Sequence, residues 1–157
     1  MEITLRRYRA DDINAVVSLF RDTIHTINSK HYSKAQVNAW APDIINAEKW
    51  GAKLLEHYTI IAECNNTICG FGDIDATGYF DHLFVHKDFQ GVGVATKIVG
   101  VIEAYALSCG FKAITVAVSI TAKTYFLKQG YEIVTPQQVT YNGEVFTNFA
   151  MIKKLSS

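Results

Sequence analysis

Residues 82–103 read HLFVHKDFQGVGVATKIVGVIE: an apolar strand, a turn interrupted by Gly91 and Gly93, then a long apolar helix. This order of pieces decides the fold class. A strand passing through a glycine turn into a helix is the first half of a βαβ unit, and the β-rich run Ala113 to Val118 supplies its second strand. The handedness rule for crossovers makes the two strands parallel, so the sheet is mixed. The turn also has a chemical consequence. Glycines let the backbone approach a ligand closely, and a helix beginning near Gly93 aims its unpaired N–H groups and positive dipole end at an anion, for which a pyrophosphate is the expected guest.

Spacing separates the chemistries that use glycine loops. A Walker loop closes on Gly-Lys-Ser/Thr, whereas this one continues Gly93-Val94-Ala95-Thr96 with its first lysine at Lys97. A dinucleotide fingerprint would place glycine at position 96 and an acid at the end of the next strand, and neither is present. Gln90-Gly91-Val92-Gly93-Val94-Ala95 instead resembles the Q/R-x-x-G-x-G/A pyrophosphate loop of the GNAT superfamily of acyl-CoA-dependent N-acetyltransferases. Downstream, residues Ser119 to Tyr131 (SITAKTYFLKQGY) resemble that superfamily's second signature, N-x-x-A-x-x-x-Y-x-x-x-G-F/Y. The likeness extends over essentially the whole chain and is weakest from His25 to Trp50.

The resemblance implies one α/β (α+β) domain spanning residues 1–157, with a mixed central sheet of about six to seven strands flanked by about four to five helices. Two parallel strands of that sheet are expected to splay apart and admit the pantetheine of acetyl-CoA, which serves as co-substrate. The implied reaction moves the acetyl group to a primary amine of a small molecule or peptide. No cysteine lies within either signature, so direct attack in a ternary complex is expected, without a covalent intermediate and without a metal. The other reading within the family is an acyl-CoA-binding sensor or interaction module with little or no transferase activity.

Composition narrows the alternatives. A chain of 157 residues, 49% hydrophobic, suits a single domain with a substantial core. Fifteen basic residues balance fifteen acidic ones, so the broad positive field used in nucleic-acid binding is absent. The opening MEITLRRYRADD has no signal-peptide core and no apolar run reaches membrane-spanning length, so a cytoplasmic protein without membrane or nucleic-acid partners is expected. Cys64, Cys69 and Cys109 lack metal-ligand spacing and read as reduced core fillers, with Cys64 and Cys69 placed to face one another across an Asn65-Asn66 turn.

Outward from the loop, Ile3 and Leu5 open a first strand, and Val16, Val17, Phe20 and Ile24 recur at helical spacing. Ser33-Lys34-Ala35-Gln36 has the form of a capping box for a short helix ending before Pro42, and a further helix is expected over about residues 46–57. Thr59 to Cys64, Thr67 to Ile74 and Tyr79 to Val85 form an antiparallel meander. A strand over Tyr131 to Thr135 and a hairpin turning at Asn142-Gly143 close the chain, leaving an edge strand through which a homodimer would pair.

Acyl transfer needs a neutral amine, a stabilised oxyanion and a proton for the departing thiolate. By the resemblance, the exposed backbone of Leu83, Phe84 and Val85 pairs with pantetheine, and an N–H near Phe84 or Val85 meets the oxyanion. N–H groups from Gly91 through Val92, Gly93, Val94 and Ala95 to Thr96 hold the diphosphate, Gln90 bounds the loop, and Ser119, Ala122 and Phe126 border the donor. Counting back from Gly130, the position that usually holds tyrosine is Phe126, with Tyr125 one residue earlier and about 100° around the helix. Either the helix is turned so that the Tyr125 hydroxyl reaches the sulfur, or Phe126 only packs and another group or water protonates the thiolate; the second is favoured. For the base, strict alternation groups Tyr79 and Asp81 with Leu83 and Val85 and turns His82 the other way. Asp81, a carboxylate in an apolar strand, needs either a partner or a catalytic purpose. His82 has a suitable pKa but is equally at home as a structural residue. His25, His31, Tyr32, Trp40 and Trp50, with Tyr141 at the hairpin, are the candidates for lining an acceptor pocket, and the tryptophans are equally suited to the core.

Overall fold

In the computed structural model, which describes residues 2–155, the opening alternation becomes β1 (Ile3–Arg7) and leads through a 3₁₀ turn into α1 (Ile13–Thr26). The residues at helical spacing on α1, Val16, Val17, Phe20 and Ile24, are all buried. Helix α2 (Lys34–Trp40) begins with the expected capping box: the Ser33 hydroxyl accepts from Gln36 N at 3.1 Å and the Gln36 carbonyl accepts from Ser33 N at 2.8 Å. Asn46 caps α3 (Ala47–Glu56) by accepting from Lys49 N. The meander follows as β2 (Tyr58–Cys64), β3 (Thr67–Ile74) and β4 (Tyr79–Val85), then α4 (Val94–Ser108), β5 (Ala113–Ser119), α5 (Lys123–Lys128), β6 (Glu132–Tyr141) and β7 (Glu144–Lys154).

The seven strands form one sheet in the order β1-β2-β3-β4-β5-β7-β6, with β4 and β5 as its parallel pair. Adjacent residues on β2 serve opposite faces. Ile60 joins Ile98, Ile102, Ile114 and Phe126 beneath α4, while Ile61 joins Phe20, Ile24, Leu54 and Phe71 beneath α1 and α3. Burying each such side chain contributes ~1.5–3 kcal/mol. Helix α4 presses directly on β3 because a Cβ at Gly70 would lie 2.7 Å from Val94 Cγ1, and one at Gly72 would lie 2.8 Å from Ile98 Cγ2.

Two expectations are corrected by the strands. The strand expected over residues 131–135 continues through Pro136 to Tyr141, because β6 is the outermost strand and a proline's missing N–H need cost an edge strand no ladder bond. The strict alternation along β4 is also broken. Asp73 pairs with His82 and Ile74 with Phe80, leaving Asp81 as the extra residue of a bulge. Phe80 therefore shares the α4 face with Leu83 and Val85, and Asp81 comes round to the side of His82.

Candidate active site

The parallel ladder between β4 and β5 ends almost as soon as it begins. Tyr79 pairs with Thr115 and Phe80 with Val116, yet β4 runs on to Val85 and β5 to Ser119 without further pairing. Backbone beyond Phe80 thus faces a cleft of about 1420 Å³ instead of a neighbouring strand. Leu83, Phe84 and Val85 line it on one side, and Ser119, Ala122, Tyr125 and Phe126 on the other.

At the floor of the cleft, Gly91 and Gly93 adopt φ of +74° and +94°, the left-handed region that glycine enters at no steric cost. Gly93 is the N-cap of α4 and supplies no capping side chain, so the first-turn N–H groups stay open to a ligand. Gln90 bounds this turn by donating from Nε2 to the Val85 carbonyl at 2.8 Å. Gly91 and Gly93 to Thr96 line the cleft, whereas the Val92 side chain is exposed and outside its lining. An oxyanion or diphosphate at this place meets backbone donors and the helix dipole together.

Helix α5 separates its two aromatic residues as their spacing requires. Phe126 is 3% exposed and meets Phe80 and Tyr131 edge to face, at centroid distances of 5.9 and 5.1 Å. Tyr125 reaches across the cleft, and its hydroxyl lies 3.0 Å from Thr96 Oγ1 in the first turn of α4. Burial raises the Tyr125 hydroxyl above its ordinary value, against the opposing hydrogen bond of Thr96, so it stays protonated at neutral pH. A protonated phenol beside the anion loop is chemically a donor.

The bulge gathers a charged cluster on the opposite wall. Asp73, fully buried on β3, accepts from His57 Nδ1 at 2.8 Å through one oxygen and from His82 Nδ1 at 2.9 Å through the other. Burial by itself would raise the Asp73 carboxyl, but the two imidazoles outweigh it and hold the group down at about 2. The hydrogen bond that His57 donates to Asp73 raises His57 above 6.5, and burial of His82 is overcome by the charges of Asp73 and Asp81. Asp81 pairs with Lys53 Nζ at 3.2 Å and lies 3.8 Å from His82 Nδ1. Burial and the Asp81 charge raise Tyr79 as well, which leaves it protonated and unsuited to act as a base. His57, Asp73 and Asp81 bring one polar atom each within 4.8 Å of one another, so these side chains form one tightly packed cluster.

Aromatic side chains close the remaining side. Trp40 meets Tyr32, Phe84 and Phe146 edge to face or tilted, and Trp50 lies 4.9 Å from the His82 ring. Both tryptophans, Tyr32 and the 53% exposed Tyr141 line the cleft. His25 lies outside the lining; its Nε2 is 2.6 Å from the Ala41 carbonyl and ties α1 to the end of α2. His31 makes a surface contact with Thr121 Oγ1.

Sequence reasoning missed His57, Lys53, Asp73 and Asn148. Asp73 carried the same signal as Asp81, a carboxylate inside the apolar run TICGFGDI, and deserved the same attention. Asn148 offers no such signal: its buried Oδ1 on the cleft wall has no hydrogen-bond partner among the described residues.

A splayed parallel pair, an uncapped helix start at its end and a cleft between them define an acyltransferase architecture built for an acyl-CoA donor. The profile of the acetyltransferase (GNAT) domain family matches residues 28–153, and the chain belongs to that family. It is 32% identical over 149 residues to the uncharacterized N-acetyltransferase YafP of Escherichia coli K12, covering 95% of this chain and 94% of YafP. Its fold is similar, with a TM-score of 0.95 and 30% identity, to the crystal structure of the GCN5-related N-acetyltransferase Aminotransferase, Class-II from Rhodopseudomonas palustris, over 99% of this chain and 97% of that one. PaiA N-acetyltransferase from Thermoplasma acidophilum, solved in complex with coenzyme A, shares the fold at a TM-score of 0.81 and 15% identity, over 99% of this chain and all of that one. The expected GNAT membership and acetyl-CoA-dependent acyltransferase class are thereby established. Among the described residues no helix is long and apolar enough to cross a membrane.

Proposed function

We propose that this acetyltransferase moves the acetyl group of acetyl-CoA to a primary amine of a small molecule or peptide, by direct attack while both substrates are bound. The observation that carries this reading is the continuity of two surfaces: the edge of β4 beyond Phe80 that has no β5 partner, at Leu83 and Phe84, leads into the open N–H groups of the Gly93 turn. Pantetheine pairs with the strand edge, the diphosphate sits on residues 91–96, and Ser119, Ala122 and Phe126 wall the donor on the α5 side. The Tyr125 hydroxyl protonates the leaving thiolate. Trp40, Tyr32 and Tyr141 border the acceptor, which enters past Asp81, whose carboxylate attracts its ammonium form.

Thiol release from acetyl-CoA, followed with a broad panel of primary amines, tests the assignment. Turnover with at least one amine and acetyl-amine product by mass spectrometry is the expected result. Tight binding of CoA by calorimetry with no turnover on any amine would instead establish an acyl-CoA sensor.

A further inference from the structure

The cluster around Asp73 goes beyond the list of groups that a transferase needs, because one fully buried carboxylate is divided between two imidazoles on different elements. His57 ends α3 and His82 lies at the bulge of β4, and each directs Nδ1 at a separate oxygen of Asp73. An ionised carboxylate only accepts, so both Nδ1 atoms carry their protons and each neutral ring keeps Nε2 as its basic atom. A lone histidine on a strand would choose its tautomer by solvent; here the choice is imposed by a carboxylate on the neighbouring strand.

Charge defines how many protons the cluster takes. Asp73 and Asp81 contribute two negative charges and Lys53 one positive, with Lys53 Nζ 3.2 Å from Asp81 and Asp81 Oδ2 3.8 and 4.0 Å from the two Nδ1 atoms. One proton on either imidazole therefore brings these side chains to neutrality, and the nearby charge of Asp75 offsets part of the cost of a second. Asp75, near His57, and protonated Tyr79, near Asp81, complete the surrounding titratable groups. Position distinguishes the two rings. His82 comes just two residues after Phe80, where the parallel ladder ends, and immediately before the strand edge at Leu83, so it stands at the mouth of the splay.

We propose that His82 Nε2 is the base that takes the proton of the acceptor ammonium, and that Asp73 and His57 are positioning residues which fix its tautomer and balance its charge. The inference rests on the transferase reading above. The ammonium gives one proton to His82 Nε2, and the freed nitrogen lone pair forms the C–N bond to the thioester carbonyl carbon. The C–S bond then breaks, sulfur takes a proton from Tyr125, and the adduct nitrogen returns its second proton to the phenolate through water. One proton is released per turnover, from His82 to solvent.

Two measurements on the full chain test this, with thermal melting checking that each variant folds. Imidazole nitrogen NMR needs no acceptor: the wild type is expected to show His57 and His82 with Nδ1–H and bare Nε2, titrating above 6.5, and Asp73→Asn to abolish that tautomer preference. A wild type holding its proton on Nε2 overturns the proposal. Turnover with the most active panel amine, in EDTA, supplies the second. His82→Gln should lower kcat/KM by ~100-fold or more and His57→Gln by ~10-fold or less, with the acetyl-CoA KM within about twofold. Asp73→Asn should move the ascending limb of kcat/KM to lower pH, since an imidazole without its anion loses its proton more readily. An unchanged rate in His82→Gln, or a wild-type rate lost to EDTA, overturns the proposal. If no amine is turned over, the transferase reading fails, and the tautomer measurement still decides the Asp73 arrangement.

Discussion

The hydroxyls of Tyr125 and Thr96 lie 3.0 Å apart, joining α5 to the first turn of α4 across the mouth of the anion loop. A tyrosine one residue before the family's usual position thus reaches the loop from α5, while Phe126 fills the core behind it. On the proposed proton-donor role, Tyr125→Phe should reduce kcat by ~100-fold and leave acetyl-CoA affinity within about threefold. Steady-state thiol release alongside calorimetry with CoA checks both halves. Equal rates for the two proteins would return the proton-donor role to water.

Gly93 tests the cradle. A side chain added there enters open space, but the backbone must hold a φ of +94° and the ring of Gly93→Trp would occupy the phosphate site. CoA affinity should fall by at least ~100-fold while the melting temperature drops only modestly, since the left-handed strain is ~1–2 kcal/mol. Retained affinity would mean that the diphosphate binds elsewhere.

Phe126→Ala is a stability experiment. Removing a 3% exposed ring from contacts with Phe80 and Tyr131 should cost ~3–5 kcal/mol by chemical denaturation. A loss below ~1 kcal/mol would show that neighbouring side chains collapse into the vacated space.

A second stability prediction concerns Asp12, whose carboxylate accepts two bonds from Arg6 at 2.8 Å and a third from Arg9 N. The Arg6 bonds, opposed by burial, hold its carboxyl below the ordinary 3.8. Its stabilisation is therefore fully present above that ordinary value and disappears as pH falls through the depressed one. Asp12→Ala should cost ~2 kcal/mol at pH 7, with the gap to wild type closing as pH falls through the depressed pKa, below the ordinary 3.8. Melting curves across pH 2–7 measure the gap, and a constant difference would contradict the assignment.

The sequence revealed the fold wherever local chemistry determines structure. Asn65-Asn66 and Asn142-Gly143 take positive φ and turn their hairpins, and Ser33 with Gln36 starts α2, because each of these depends on neighbours within a few residues. The donor loop was legible for the same reason: both glycines and the helix they start are contiguous. The charged cluster on the opposite wall was not. A one-residue bulge at Asp81 is invisible to a period-two pattern, and His57, Asp73 and His82 meet only after α3, β3 and β4 have packed. The full length of β6 was not legible either, since the pairing that carries the strand past Pro136 to Tyr141 appears only in the assembled sheet.

Tyr32 links the two halves of the cleft. Its hydroxyl donates to the Thr147 carbonyl at 3.1 Å and accepts from Ile120 N at 2.9 Å, while its ring meets Trp40 edge to face. One phenol therefore acts as a tie rod between the β5–α5 corner and the tryptophan on the cleft's aromatic wall. The shape of the cleft is thus set in part by Ile120 and Thr147, backbone anchors that do not line it.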